Sequence, residues 1–199
     1  MAETIGALLA ERRGHFQMES GFHSGSWFEL GTLFDRPDEL EPFVTELARR
    51  LKAHGPDAVC GPETGGATLA RLIADQLGIR CLVAERTVTR EATGLFPVRY
   101  VLPQAQRETV RGLSVAIVDD AISAGSAVRG AFADLFACGA RPVALGALIV
   151  FGDAAARFAE DMAIALEGVE RTPFAVWQPV DCPLCKSGVP LERVAAANG

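Results

Sequence analysis

No apolar run in this chain reaches the roughly 20 residues that a bilayer-crossing helix needs. The opening residues, MAETIGALLAERRG, lack the basic lead and apolar stretch of a secretory signal. The expectation is a cytoplasmic protein with no membrane partner, its first residues forming an amphipathic helix that ends near Gly14. Lysine is scarce, with only Lys52 and Lys186 against a large arginine complement. Positive charge is in deficit overall: the formal net charge is -6 and the pI about 5.1. That balance argues against a surface that coats nucleic acid, while leaving room for a local anion site. Five cysteines show no paired framework, which fits a reducing compartment. Cys182 and Cys185 do form a Cys-x-x-Cys, but a metal site needs four ligands and no second pair is visible. Further ligands would have to come from a partner chain or from distant positions, so structural or incidental use leads. What the 199 residues do supply, at 49% hydrophobic and 22% charged, is enough core for one α/β domain with a small appendage.

The stretch VAIVDDAISAGSAVRG, residues 115–130, organises the rest. Residues 115–118 read as a short strand buried on both faces that stops at two adjacent carboxylates, Asp119 and Asp120. A small, hydroxyl-bearing segment follows, Ser123-Ala124-Gly125-Ser126, and then helical apolar spacing over 127–137. Backbone N–H groups at that helix start, with the two serine hydroxyls, make a nest for one phosphate dianion. Carboxylates cannot bind phosphate, but they accept hydrogen bonds from a sugar diol or hold Mg2+ through water. Phosphate, diol and metal together describe a ribose 5-phosphate.

Elsewhere the pattern alternates strands and helices. Residues 40–51, after Pro37, have the period of an amphipathic helix, and 58–60 read as a strand running into Gly61-Pro62-Glu63-Thr64-Gly65-Gly66. The glycines allow close backbone approach at the start of a helix over 67–77, a second anion site. Strands are expected at 80–85 and 142–151, an Ala-rich helix from 153 to about 166, and an edge strand at 174–178. Residues 86–111 are polar and poorly periodic, a length typical of binding loops, with a hairpin arm at 98–102. Near the start, Phe16, Trp27 and Phe28 stand beside Ser20, His23 and Ser26 in a pattern of two short strands and a turn. Such a surface suits a flat ring, or is a hairpin whose aromatics pack on the core. His15 and His23 read as hydrogen-bonded structural histidines rather than acid–base groups.

The strand, Asp-Asp, Ser-Ala-Gly-Ser loop and helix resemble the phosphoribosyl pyrophosphate (PRPP) motif of type I phosphoribosyltransferases. The Gly-His-Phe, Ser-Gly and His-Ser segments near the start and the Cys-Pro-Leu-Cys tail are most similar to the orotate phosphoribosyltransferases of that family. The resemblance runs from Gly14 to Glu192. It implies an α/β fold with a mainly parallel central sheet flanked by helices, a flexible hood and a small N-terminal subdomain that covers the base. In these terms one domain spans 1–199, divided into an N-terminal helix and hood-like segment (1–36), a PRPP-binding core (37–180) and a Cys-containing tail (181–199). The implied reaction is orotate plus PRPP to orotidine 5'-phosphate plus pyrophosphate, a step of pyrimidine biosynthesis, with Mg2+ as cofactor. The implied assembly is a homodimer sharing its hood across the interface. The alternatives are a PRPP-dependent transferase for another nucleobase and a non-catalytic PRPP-binding regulatory homologue.

Site roles follow from the same resemblance. Glu63, Thr64, Gly65, Gly66, Asp119, Asp120, Ala121, Ile122, Ser123, Ala124, Gly125 and Ser126 are implied to bind PRPP. Asp119 and Asp120 are also implied to hold Mg2+, largely through water and PRPP. Ser20, His23, Ser26, Phe28 and Ser123 are implied to meet the base. Two places depart from the orotate pattern. The hood carries a catalytic lysine in the family, whereas residues 86–111 here contain none; Arg86, then Arg90, then Arg99 are the available cations, able to stabilise charge but not to donate a proton. Where orotate enzymes place Asp-Arg to bind the orotate carboxylate, this chain has Phe151-Gly152-Asp153, leaving Arg129 and Arg157 as possible substitutes.

Overall fold

Alternation along residues 115–118 splits the interior into two cores. Val115 and Ile117 belong to one apolar cluster and Ala116 and Val118 to the other, and all four are fully buried because helices cover both sides of the strand. The structure is a computed structural model describing residues 4–63, 65–88, 95 and 97–194. In chain order its elements are β1 (Ala10–Gln17), β2 (His23–Glu29), α1 (Pro37–Lys52), β3 (Ala58–Pro62), α2 (Gly65–Leu77), β4 (Arg80–Val88), β5 (Val98–Val101), α3 (Gln104–Arg107), β6 (Ser114–Ile122), α4 (Ser126–Ala137), β7 (Arg141–Phe151), α5 (Ala154–Asp161), β8 (Ala165–Thr172), β9 (Val176–Trp177), α6 (Pro183–Lys186) and β10 (Glu192–Arg193).

The main sheet has six strands in the order β5-β4-β3-β6-β7-β8. Every pairing in it is parallel except β4 with β5, which form an antiparallel arm. Leu40, Val44, Leu47 and Leu51 of α1 and Leu69 and Ile73 of α2 pack on one face; Val128 and Leu135 of α4 and Phe158 of α5 pack on the other. Burying a leucine of this kind is worth about 1.5–3 kcal/mol. The parallel order brings the carboxyl ends of β3 and β6 side by side, where open α/β sheets bind ligands.

A second sheet, of order β10-β1-β2-β9, is built from both ends of the chain. The β1–β2 hairpin is its centre; β9, just before the tail, and β10, in it, add one strand to each side. Among the described residues no helix is long and apolar enough to cross a membrane.

Three expectations are corrected. The first residues form a 3-10 turn at Gly6–Leu8 and then strand β1, rather than an amphipathic helix to Gly14. Ile5 and Leu8 bury in the turn, and the charged residues 11–13 lie on the exposed part of a strand, a pattern equally compatible with helical spacing. Strand β6 does not stop at Asp119: it pairs with β7 as far as Ile122, so both carboxylates stand on the strand itself. Helix α5 ends at Asp161 rather than near 166, because Ala163 takes a left-handed conformation (φ 53°) and the chain re-enters the sheet as β8.

Candidate functional site

Two carboxylates on a strand end need something beside them small enough to allow it, and the turn from β3 into α2 supplies this. A Cβ at Gly65 would run into the Asp120 carboxylate, and one at Gly66 would stand 2.8 Å from Asp119 Oδ1. One at Gly61 would collide with the Gly66 carbonyl, so all three glycines are needed for the turn to close on β6. The carboxylates thus lie against the N-terminal turn of α2, whose N–H groups favour negative charge. Asp119 Oδ1 accepts a hydrogen bond from the Asp120 N–H at 3.1 Å, and Asp120 Oδ1 accepts one from the Ala121 N–H at 2.7 Å. Among the described residues neither is in an ion pair. Burial first, and then the charge of Asp120, push the Asp119 carboxyl well above the usual range, and burial pushes Asp120 up as well. The pair is an acceptor site short of a cation or donors.

The opposite condition holds one turn further on. The Ser123 hydroxyl is buried and has no hydrogen-bond partner among the described residues. Gly125, with φ 79°, turns the chain into α4, whose start has no side-chain cap. Unpaired N–H groups of a first helical turn and an orphaned hydroxyl beside them are donors short of an acceptor.

These two features share a cleft of about 580 Å3 that runs between the main sheet and the β1–β2 hairpin. Its far wall is aromatic: Phe28 stacks on Phe151 with ring centroids 4.8 Å apart, and Phe174 sits 5.0 Å from Phe151. At its edge Glu19, in the hairpin turn, accepts hydrogen bonds from Arg86 Nε at 2.9 Å and from the Tyr100 hydroxyl at 2.6 Å. Burial and the bond to Glu19 raise the Tyr100 phenol far above its ordinary value, so it remains a donor. The Arg86 N–H in turn is bonded by Glu63 Oε2 at 2.9 Å, tying the β3–α2 turn to β4.

Of the residues singled out from the sequence, Glu63, Gly65, Arg86, Asp119 and Asp120 and residues 121–126 line this cleft, with Ser20, Ser26 and Phe28 facing them. Gly66 lies behind Asp119. Thr64 and Arg90 lie outside the described residues. His23 does not reach the cleft; its ring is buried against His15 on the other side of the hairpin, Nδ1 standing 3.1 Å from His15 Nε2. Arg86 pairs with Glu19, not with its neighbour Glu85. Neither substitute arginine faces the cleft: Arg129 lies over the Phe158 ring at 4.2 Å and bonds backbone carbonyls, and Arg157 pairs with Asp153 in solvent.

Glu19, Tyr100, Phe151 and Phe174 were not singled out as site residues from the sequence. Tyr100 carried a faint signal as the chain's single tyrosine, and Glu19 as the acid beside Ser20 in the glycine-marked turn. Phe151 carried a positional signal alone, as the residue standing where the orotate resemblance places Asp-Arg, and Phe174 carried none, since apolar residues look alike whether they face a core or a cleft.

A family model described as the phosphoribosyl transferase domain matches residues 38–185. A relative from Thermotoga maritima named orotate phosphoribosyltransferase is 32% identical over 194 residues, covering 96% of this chain and 93% of its own length. The crystal structure of orotate phosphoribosyltransferase from Aeropyrum pernix superposes with a TM-score of 0.62 at 20% identity, covering 81% of this chain and 88% of that one. That of adenine phosphoribosyltransferase from Thermoanaerobacter pseudethanolicus does so with a TM-score of 0.67 at 15% identity, covering 84% and 98%. At these identities the two structures speak to the fold alone, and the fold is the same.

Proposed function

The chain belongs to the phosphoribosyl transferase family, and from that premise we propose that it transfers the phosphoribosyl group of PRPP to orotate, yielding orotidine 5'-phosphate and pyrophosphate. One observation carries the reading of the site: the Ser123 hydroxyl, buried without a partner among the described residues at the start of α4, on the same strand-to-helix connection as the Asp119 and Asp120 carboxylates, which meet no cation among the described residues. A sugar phosphate satisfies both, its phosphate accepting from one and its hydroxyls donating to the other.

In this reading residues 123–126 hold the 5-phosphate and Asp119 and Asp120 accept hydrogen bonds from the ribose hydroxyls. Glu63, Gly65 and Gly66, with Thr64, border the pyrophosphate at the N-terminus of α2. The base lies between Ser20, Ser26 and Phe28 of the hairpin and the wall of Phe151 and Phe174. His23 is not part of the base site. Displacement of pyrophosphate by a base nitrogen passes through an oxocarbenium-like state, as in glycosyl transfer generally. The chain's work is to align the two partners and to stabilise charge on the departing pyrophosphate, the latter by Arg86 and Arg90 as permanent cations. Two oxygen-bearing side chains with no cation against them among the described residues fit a hard divalent ion, and Asp119 and Asp120 would hold Mg2+, largely through water and pyrophosphate oxygens, which supplies further charge neutralisation when bound. The reading also carries a homodimer and a cytoplasmic location; sedimentation of the purified chain tests the first and cell fractionation the second.

One observation favours a second base class. Among the described residues Arg86 is the single guanidinium lining the cleft, and it is already paired with Glu19, a setting that suits an uncharged nucleobase better than a carboxylate. Pyrophosphate release from PRPP and Mg2+, run in parallel with orotate and with uncharged pyrimidines and purines, separates the two. Release with orotate alone supports the proposal; release with an uncharged base alone replaces orotate by that base. Binding of PRPP without release in any arm leaves a PRPP-binding regulator.

A further inference from the structure

Four side chains from opposite ends of the chain converge at the back of the hairpin: His15 of β1, His23 of β2, and Cys182 and Cys185 of the tail, their ligand atoms all within 4.8 Å of one another. His15, His23 and Cys182 are buried, no disulfide joins the cysteines, and none of the four lines the cleft. We propose that these four residues form a structural Zn2+ site that fastens the tail to the β1–β2 hairpin.

The spacing fits the ion. Tetrahedral Zn2+, with Zn–S about 2.3 Å and Zn–N about 2.0–2.1 Å, sets edges of about 3.3 Å between two nitrogens and about 3.6 Å between nitrogen and sulfur. Four of the six observed edges are 3.1 Å from His15 Nε2 to His23 Nδ1, 3.3 Å from Cys185 Sγ to His23 Nδ1, and 3.4 and 3.7 Å from His15 Nε2 to Cys182 Sγ and Cys185 Sγ, and the remaining two, from Cys182 Sγ to Cys185 Sγ and to His23 Nδ1, lie within 4.8 Å. Hydrogen bonding alone does not explain this convergence. His15 Nδ1 donates to the Val189 carbonyl at 2.8 Å, so Nε2 offers a single lone pair, yet three groups crowd it. A bond from the far ring nitrogen to a backbone carbonyl is also how zinc-binding imidazoles are oriented. The donor set, two sulfurs and two imidazoles with no carboxylate, suits Zn2+ over Mg2+. The Cys-x-x-Cys spacing is that of closed structural sites, and its missing half is the histidine pair eight residues apart in the hairpin.

The site sits where fastening is needed. Two-residue strands are weak, yet β9 pairs with His23 and Ser24 and β10 with Phe16 and Gln17, on either side of the ligands. The turn between His15 and His23 is the one that carries Glu19 and Ser20 into the cleft.

Metal analysis of the full chain, purified without chelator, tests the proposal, and replacement by Co2+ adds a spectroscopic readout. The expected result is about one Zn2+ per chain, and a Co2+ form with thiolate charge-transfer bands and the d–d bands of tetrahedral geometry. Cys185→Ser, at the exposed ligand, is expected to lose the charge-transfer intensity by about half and to weaken Zn2+ retention at least tenfold. Wild-type chain without bound zinc that gives only octahedral Co2+ spectra would overturn the proposal, as would a native Cys182–Cys185 disulfide by mass spectrometry. Neither measurement depends on PRPP or orotate, and wild-type metal content decides the question even if the variant misfolds.

Discussion

Glu19, in the turn of the N-terminal hairpin, accepts a 2.9 Å hydrogen bond from the guanidinium of Arg86 on the main sheet. The two sheets therefore meet through an ion pair at the edge of the cleft, and the cation proposed to face pyrophosphate already has an anion beside it. Replacing Glu19 by Gln removes that competition while keeping an acceptor for Tyr100. The expected outcome is tighter pyrophosphate binding by roughly threefold to tenfold, whereas Arg86→Ala weakens it and lowers kcat about 100-fold or more. Product-inhibition kinetics measure both; weaker pyrophosphate inhibition in Glu19→Gln would contradict the account.

Ser123→Ala should have opposite effects on stability and function. Among the described residues the hydroxyl is buried without a partner, so its removal should leave the ligand-free chain as stable or slightly more stable. A bond from it to a phosphate dianion is charge-assisted, worth about 1.5–3 kcal/mol, so KM for PRPP should rise about tenfold or more. Thermal unfolding without ligand and steady-state kinetics read the two signs separately.

Without ligand or divalent ion, the carboxylate pair is a burden on the fold at neutral pH. Burial, then the charge of Asp120, raises the Asp119 carboxyl, and burial raises Asp120. An acid with a raised folded pKa stabilises the fold below its unfolded value and loses that contribution as pH rises through the folded one. Asp119→Asn should therefore raise the unfolding midpoint at neutral pH in EDTA, by about 2 °C or more, and the advantage should shrink as pH falls into the ordinary carboxylate range. A midpoint difference that is flat across pH would contradict it.

Gly65→Ala probes the approach of the β3–α2 turn to β6. The added methyl occupies the place of the Asp120 carboxylate, and the overpacking should cost about 1–3 kcal/mol of stability together with most PRPP affinity. Gly31→Ala, on the same cleft but where a Cβ meets nothing within 4 Å, is the control expected to leave stability unchanged.

The β6–α4 connection was legible because everything that defines it is contiguous: a buried apolar run, two acids, small residues and a helical period within residues 115–130. Helices α1 and α2 were legible for the same local reason. The N-terminal strand was not, since Ile5, Leu8 and the charged residues after them suit a helix or a strand, and pairing with β2 and β10 decided between them. The start of strand β8, Ala165 and Leu166, was read as the end of an alanine-rich helix, which instead stops at Asp161 as Ala163 adopts a positive φ. His15 and His23 were legible as structural residues but not as companions of Cys182 and Cys185, because it is the pairing of β9 and β10 with the hairpin that brings the two ends of the chain together. Glu19 and Arg86 likewise meet across two sheets that share no strand.

On the proposed reading, phosphoribosyl transfer to orotate takes place at the carboxyl end of β6. Its most direct test is orotate consumption by the purified chain with PRPP and Mg2+, set against the double variant Asp119→Asn with Asp120→Asn. The expected result is orotidine 5'-phosphate formed stoichiometrically with pyrophosphate by the wild type, and a loss of kcat/KM for PRPP of at least about 100-fold in a variant that remains folded. Undiminished turnover in the double variant, or no consumption of orotate by a wild type that binds PRPP, would contradict it.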